Sequence, residues 1–364
     1  MDERNGKAEQ PLPDGERLRQ AVPRITAWYR QVRRPLPWRQ DPTPYQVWIS
    51  EIMLQQTRIE AAKDYYARFI AELPDIPALA AAEDDRLMKL WQGLGYYSRA
   101  RNLKKTAKLL MERGSGELPP SAGELRKLPG IGDYTAGAIA SIAYGQPEPA
   151  VDGNVLRVLS RVLEDGEDVL QPQVRRRMAA LLREVYPEGE EAALLTEGLM
   201  ELGETLCLPK GELRCGVCPL RTLCLAGLHG RAEQFPVRAA ARERRVEERT
   251  VLLLRSGSRY ALCRRPERGL LAGLWELPNL DGFVTPEALA AWVREQGGLV
   301  RQISDCGAAR HLFTHVEWRM RGWLLDCETP FGPFTWASAD EIAREYSIPS
   351  AFRAWSRRME RADG

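Results

Sequence analysis

From Gly15 to about Ala226 the apolar side chains return every three or four positions. They do so at Val47, Trp48, Ile49, Ile52, Met53, Leu54 and Ile59, at Leu87, Leu90, Trp91 and Leu94, and at Leu103, Ala107, Leu110 and Met111. Turn formers interrupt them at Pro74-Asp75, Gly93 to Gly95 and Pro119-Pro120-Ser121. No two-residue alternation appears, so an all-α region is predicted over residues 15–228. Residues 1–14 are polar, contain Pro11 and Pro13, and are expected to be a disordered tail. Residues 229–249 are basic and poor in large apolar side chains, and read as an interdomain connector. After Thr250 the rhythm changes. Strands are predicted at 251–254 and 260–263, joined at Ser256-Gly257-Ser258, and a further short run at 274–277 stops at Pro278. A helix over 286–296, strands around 307–314, 317–326 and 334–337, a helix after Ser338 and a last one near 349–357 complete a small α+β domain over 250–360.

Length and composition fit this division. A chain of 364 residues, 44% hydrophobic, is enough for two cored domains. The charged N-terminus lacks an apolar core segment, so no signal peptide is expected. No run approaches the ~18 apolar residues of a membrane span, so the expected compartment is the cytoplasm. A formal net charge of +2 means that a nucleic-acid partner requires positive charge gathered on one face.

Four of the seven cysteines, Cys207, Cys215, Cys218 and Cys224, fall within one short segment, with gaps of seven, two and five residues. In a reducing compartment such clustering indicates metal ligation rather than disulfides. Four thiolates suit zinc or a [4Fe–4S] cluster alike. Lys210 and Arg214 in the first gap are candidates to offer positive charge to a phosphate backbone. Cys263, Cys306 and Cys327 are expected to be small buried hydrophobes.

The string LPGIGDYTA at 128–136 lies between two helical segments. Gly130 and Gly132 permit a tight turn into a helix over 133–144. The free N–H groups and positive dipole end of that helix form an anion site. This is a helix–hairpin–helix signature over 121–144, a sequence-independent grip on DNA phosphate. Asp152 stands before an apolar helix beginning near Val155 and is its natural N-cap. Backbone donors and the dipole are expected to hold its carboxylate ionised.

The hairpin, an aspartate about twenty residues on and a four-cysteine loop together resemble the endonuclease III superfamily of DNA glycosylases. Members that also cleave the strand carry a lysine where this chain has Tyr134, and the amine forms a Schiff base with the sugar. A phenol does not, so the resemblance implies a monofunctional enzyme. Leu36-Pro37-Trp38-Arg39, the string YQVWISEIMLQQT at 45–57 and GLGYYSRARNL at 93–103 resemble the MutY-type, adenine-specific branch, over about 36–224. That likeness implies one structural [4Fe–4S] cluster on the four cysteines, although the first gap there is usually six residues. It implies Glu51 as general acid and base, its pKa raised by apolar neighbours, and Asp152 as the carboxylate facing a sugar cation. Tyr134 and Asn154 would position them. Leu36, Trp38, Arg39 and Glu197 would contact adenine, and Gln56 and Tyr96 would fill the stack beside 8-oxoguanine.

The C-terminal string GLWELP at 273–278 resembles a Nudix fold. The following NLDGFVTPEALAAWVREQGG lacks the glutamate helix that pyrophosphate hydrolysis requires. The resemblance instead implies recognition of 8-oxoguanine through Phe313, Thr314 and His315. The expected partner is double-stranded DNA holding an adenine:8-oxoguanine or adenine:guanine mispair, bound by a monomer that is nucleoid-associated if bacterial. Two rivals are a glycosylase/lyase for oxidised pyrimidines, opposed by Tyr134 and the extra domain, and a non-catalytic iron–sulfur DNA sensor, opposed by the pair Glu51 and Asp152.

Overall fold

The computed structural model describes residues 12–40, 42–239 and 243–362. Residues 1–11 of the expected tail lie outside this range. The first helix, α1 (Asp14–Val32), claims the last residue of that stretch. The remaining helices of the N-terminal half are α2 (Pro44–Leu54), α3 (Ile59–Glu72), α4 (Ile76–Ala81), α5 (Asp84–Leu90), α6 (Ser98–Glu112), α7 (Ala122–Leu125), α8 (Asp133–Tyr144), α9 (Gly153–Leu163), α10 (Pro172–Arg183), α11 (Glu190–Thr205) and α12 (Leu225–Leu228). The chain divides into two compact units, Met1–Ala80 with Asn102–Ala240, and Ala81–Arg101 with Ala241–Gly364. Residues 81–101, read from sequence as part of the helical region, therefore group with the second unit. Long polar side chains tie them there. Lys89 Nζ donates to the carbonyls of Ile342 and Tyr346 at 3.3 and 3.0 Å, Gln92 Nε2 to Ile348 O at 3.1 Å, and Arg101 Nη1 to Ala272 O at 2.8 Å. Helical periodicity carries no trace of such bonds.

The first unit is all-α among its described residues. Leu18 and Ile25 of α1, Val155 and Leu159 of α9, Met178 of α10, and Leu195, Leu199 and Leu202 of α11 meet in its core. Each such side chain contributes roughly 1.5–3 kcal/mol on full burial. Helix α2 starts from a reciprocal cap. Gln46 N donates to Thr43 Oγ1 at 3.2 Å and Thr43 N to Gln46 Oε1 at 3.0 Å, with Pro44 in the first turn. Tyr45, Val47, Trp48, Ile49, Ile52 and Met53 are buried around it, as are Ser50 and Glu51. Glu51 is thus a carboxyl on a core helix rather than on an amphipathic one. Helix α8 covers the predicted span. A Cβ at Gly137 would lie 2.4 Å from Pro149 O, so only glycine lets the segment leading to Asp152 rest on this helix.

The second unit holds a seven-stranded sheet: β1 (Arg245–Ser256), β2 (Arg259–Arg264), β3 (Trp275–Glu276), β4 (Asn279–Asp281), β5 (Val300–Leu312), β6 (Val316–Cys327) and β7 (Thr335–Ser338). The order is β3-β2-β1-β6-β5, with β4 on β1 and β7 on β2. Strand β1 runs parallel to β6 from Arg245↔Val316 to Arg255↔Asp326, and the other pairs are antiparallel. Helices α13 (Pro286–Glu295), α14 (Ala339–Glu345) and α15 (Arg353–Ala362) complete the unit. Val251 and Leu253 pack with Trp318, Met320, Phe352 and Trp355, while Leu252 and Leu254 pack with Leu289, Val293 and Leu325. Burial on both faces explains why β1 reads as a continuous apolar run.

Two boundaries differ from expectation. Strand β1 opens at Arg245, inside the stretch read as connector, because its first residues pair with β6 while their charged side chains stay outside. At the other end of that stretch, Ala232 and Phe235 join Ala226 in a small core. Strand β5 begins at Val300, well ahead of 307. A bulge between Asp305 and Ala308, with Gly307 at φ +79°, breaks the alternation that would reveal it. Among the described residues no helix is long and apolar enough to cross a membrane.

Candidate active site

Within the first unit a cavity of about 140 Å³ is lined by Trp38, Arg39, Glu51, Tyr134, Asp152, Asn154, Glu197 and Met200, among others. Glu51 is 5% exposed. The Tyr134 hydroxyl donates to its Oε2. Burial raises the Glu51 pKa to about 7, helped by the negative charges of Asp152 and Glu197 and opposed by the Tyr134 bond and by Arg39. Burial also drives the Tyr134 phenol well above its usual pKa, so it remains a proton donor.

Asp152 caps α9. Its Oδ1 accepts from Val155 N at 2.7 Å and its Oδ2 from Asn154 Nδ2 at 3.1 Å. Burial outweighs these donors and lifts the Asp152 pKa above the ordinary value, a contribution not visible in the local sequence. The two acids still differ. Asp152 accepts two hydrogen bonds and feels the positive charge of Arg157, whereas Glu51 accepts one and faces two other carboxylates. Burial therefore raises both acids, with hydrogen-bond donors and Arg157 opposing it at Asp152 and the Tyr134 bond and Arg39 opposing it at Glu51.

Arg157 fixes this arrangement, and sequence reading missed it. Its Nη2 donates to Asn154 Oδ1 at 2.9 Å and to Gly203 O at 2.7 Å, and its Nε to Cys207 O at 2.8 Å. With its oxygen engaged, the Asn154 amide must turn its NH₂ toward Asp152. The available signal was two arginines four apart, Arg157 and Arg161, inside an apolar helix; both are 3% exposed.

Behind the cavity lies an ion-pair network that sequence also missed. Tyr29 donates to Glu197 Oε2 at 3.0 Å, and Arg33 Nη2 lies 3.2 Å from the same oxygen. Arg39 Nη1 donates to Glu201 Oε2 at 2.9 Å, and Arg34 Nε lies 2.6 Å from Glu201 Oε1. Trp38, Arg39 and Glu197 border the cavity. Leu36 is not among its lining residues. It is 2% exposed, and its carbonyl accepts from Arg39 N at 2.9 Å.

In the hairpin Gly130 has φ +77°, and a Cβ there would sit 2.6 Å from Asn102 Cβ. Leu128 and Ile131 are buried anchors, while Gly130 and Gly132 stand exposed at the entrance to α8. Gln56 is exposed at φ +61°, a region rare for a side chain of its kind.

Cys207, Cys215, Cys218 and Cys224 line one cavity of about 70 Å³ together with Arg161. Arg161 Nη1 donates to Cys207 Sγ at 3.1 Å, and its Nε to the carbonyls of Ala232 and Phe235. Burial pushes the Cys218 thiol up to about 12 and the Cys224 thiol to about 11, and the neighbouring sulfurs add to both. Four thiolates here require a positive partner. The four sulfurs line one common space. That donor set fits an iron–sulfur group. Lys210 and Arg214 are exposed on the same loop.

Comparison with known proteins follows the same division. Residues 49–184 match the HhH-GPD superfamily of base excision DNA repair proteins, and residues 250–357 match the NUDIX domain. The chain is 36% identical to the adenine DNA glycosylase of Mus musculus, over 80% of this chain and 68% of that one. It is 32% identical to the adenine DNA glycosylase of Homo sapiens, over 84% of this chain and 67% of that one. The chain belongs to the adenine DNA glycosylase family. Membership places this glycosylase among the hydrolases of N-glycosyl bonds. Its helical unit is also similar to the solved structure of a thermostable thymine-DNA glycosylase, at 25% identity and a TM-score of 0.53, over 58% of this chain and 97% of that one.

The glycosylase carries its Nudix-like sheet in the second unit, where Phe313, Thr314 and His315 form the turn between β5 and β6. The Phe313 ring packs edge-on against Trp318 at 5.0 Å and lies 4.6 Å from His311. Phe313 N donates to Val316 O at 2.8 Å, Arg244 Nε to Phe313 O at 3.0 Å, and Arg245 N to His315 O at 3.1 Å. Thr314 and His315 are exposed. Tyr96, at φ +46° and 48% exposed, shares a 3.1 Å hydrogen bond with Thr314 Oγ1. Arg99 stacks over the Tyr96 ring at 5.6 Å. Two motifs more than two hundred residues apart thus meet within this unit.

Proposed function

We propose that this glycosylase removes adenine paired with 8-oxoguanine, or with guanine, from double-stranded DNA, as a monomer and without cleaving the strand. The observation that carries the reading is one cavity bordered by two carboxyls in unlike surroundings, Glu51 with its pKa raised to about 7 and Asp152 held by two hydrogen-bond donors. Hydrolysis through an oxocarbenium-like transition state needs that pairing. The adenine is extruded from the stack into the cavity. Glu51 gives its proton to N7, and the electrons of the glycosidic bond leave with the base. Asp152 faces the sugar cation. Glu51, now a carboxylate, takes a proton from water as the oxygen bonds to the sugar, leaving free adenine and an abasic site.

Tyr134 holds Glu51 in place, and Asn154 orients Asp152. Trp38, Arg39 and Glu197 border the base, with Leu36 buttressing their turn. Gly130 and Gly132 present backbone N–H groups to phosphate. Gln56 and Tyr96 are each assigned to the base stack of the DNA, and Phe313, Thr314 and His315 read 8-oxoguanine. Cys207, Cys215, Cys218 and Cys224 would hold one [4Fe–4S] cluster, which supplies the positive charge that four thiolates need and cross-links the loop.

An adenine:8-oxoguanine duplex, labelled on the adenine strand, tests the reading. Breakage is expected only after alkali treatment. Breakage without alkali makes the enzyme a lyase, and no breakage makes it a binder; either result overturns the proposal. In the second unit, Thr314→Ala with His315→Ala is expected to lower the preference for 8-oxoguanine over guanine opposite adenine by roughly tenfold, about one hydrogen bond's worth. Single-turnover rates on the two duplexes check this, and an unchanged ratio removes the turn from base reading.

A further inference from the structure

We infer that a groove of about 450 Å³ in the second unit, between the end of β5 and the start of α15, binds the phosphodiester backbone of DNA. The inference rests on the reading that this enzyme acts on DNA. The groove is lined by Arg310, Arg353, Arg357 and Arg358, with His311 and Ser350, and no carboxylate borders it. Arg310, Arg353 and Arg357 are exposed, and among the described residues none has an ion-pair partner. Elsewhere in the unit Arg249, Arg255, Arg259, Arg265, Arg319 and Arg321 each pair with a carboxylate, while Arg294, Arg301 and Arg344 stand exposed away from the groove.

Gathering unpaired guanidinium groups costs the fold self-repulsion, which a polyanion relieves. Arginine forks match phosphate oxygens two at a time. The first turn of α15 forms one wall and adds the positive end of its dipole. The position favours a duplex over a free phosphate compound. Arg310 lies on β5 four residues before Thr314, roughly 13 Å along an extended strand, or about four base steps of one DNA strand. His311, which also lines the groove, packs its ring on Phe313 and joins the groove to that turn. A backbone engaged near the turn therefore reaches the groove within half a helical turn.

The test uses the full chain with Arg310→Ala, Arg353→Ala and Arg357→Ala combined. A control triple, Arg294→Ala, Arg301→Ala and Arg344→Ala, removes equal charge from exposed sites elsewhere in the unit. Duplex affinity is measured across a salt series. The groove triple is expected to flatten the slope of log affinity against log salt by about 2–3, since each phosphate contact contributes about 0.9. The control triple is expected to leave the slope in place, and a lysine triple at the groove positions to restore most of it. Equal slopes for groove and control triples overturn the inference. Melting with inorganic pyrophosphate separates the sources of phosphate. A rise in Tm that the groove triple abolishes, with the DNA slope unmoved, assigns the groove to free phosphate and also overturns it. Adenine excision by the unmutated chain is scored on the same duplex, so failure of the functional reading shows there, independently of the slopes.

Discussion

Replacing Glu51 with glutamine is expected to slow adenine excision by roughly 10²–10⁴-fold, the usual worth of a positioned acid and base, while duplex affinity stays close to that of the parent. The same change should stabilise the protein at neutral pH. The folded pKa of Glu51 is about 7, against an ordinary value of 4.5. An acid whose pKa is raised on folding costs nothing below its unfolded value, where both states hold the proton. The cost grows between about 4.5 and 7 and is constant above, at about 1.4 kcal/mol per unit and so on the order of 3 kcal/mol in all. Glutamine removes it. Melting curves should show the variant ahead at pH 8 and level with the parent near pH 4.5. The parent's excision rate should also fall as pH rises through about 7, where Glu51 loses the proton it must donate. Full-rate excision by the variant, or no gain in Tm at pH 8, would sink the assignment of Glu51 as a buried acid.

Asp152→Asn should cost a comparable factor, roughly 10²–10³, because the sugar cation then faces a neutral amide in a site shielded from water. Asparagine is as good an N-cap as aspartate, so α9 should start where it does now. The variant carries a second signature. The negative charge of Asp152 is one cause of the raised Glu51 pKa. Without it that pKa moves back toward the ordinary range, and the fall in residual activity moves to lower pH. The pH–rate profile of single-turnover excision measures both effects. A profile lowered in height but fixed in position would mean that the two carboxyls do not interact.

The parts legible in the sequence were those set by neighbours along the chain. The apolar run around Glu51 reveals a buried helix, the glycines at 130 and 132 a tight turn, and Asp152 a cap, because each signal lies within a few residues. Contacts closed by tertiary packing left no such mark. The bond from Tyr134 to Glu51 joins α8 to α2, and Arg157 reaches from α9 to Cys207 and Gly203. The pairing of Arg34 and Arg39 with Glu201 spans more than 160 residues. The first half of β5 was lost to its bulge. Asp152 shows the same limit in its energetics: its donors are local and foreseeable, whereas the burial that outweighs them comes from the whole unit.

The turn at Phe313, Thr314 and His315 is pinned through its ring, through two backbone–backbone bonds and through one from the Arg244 side chain, with the Thr314 and His315 side chains exposed. Its ordering entropy is spent once, during folding, and not again at each encounter. On the proposed reading, a stretch of duplex brought against it would meet a shape already set. If the turn reads a base as proposed, binding there would not have to meet the cost of ordering a loose loop.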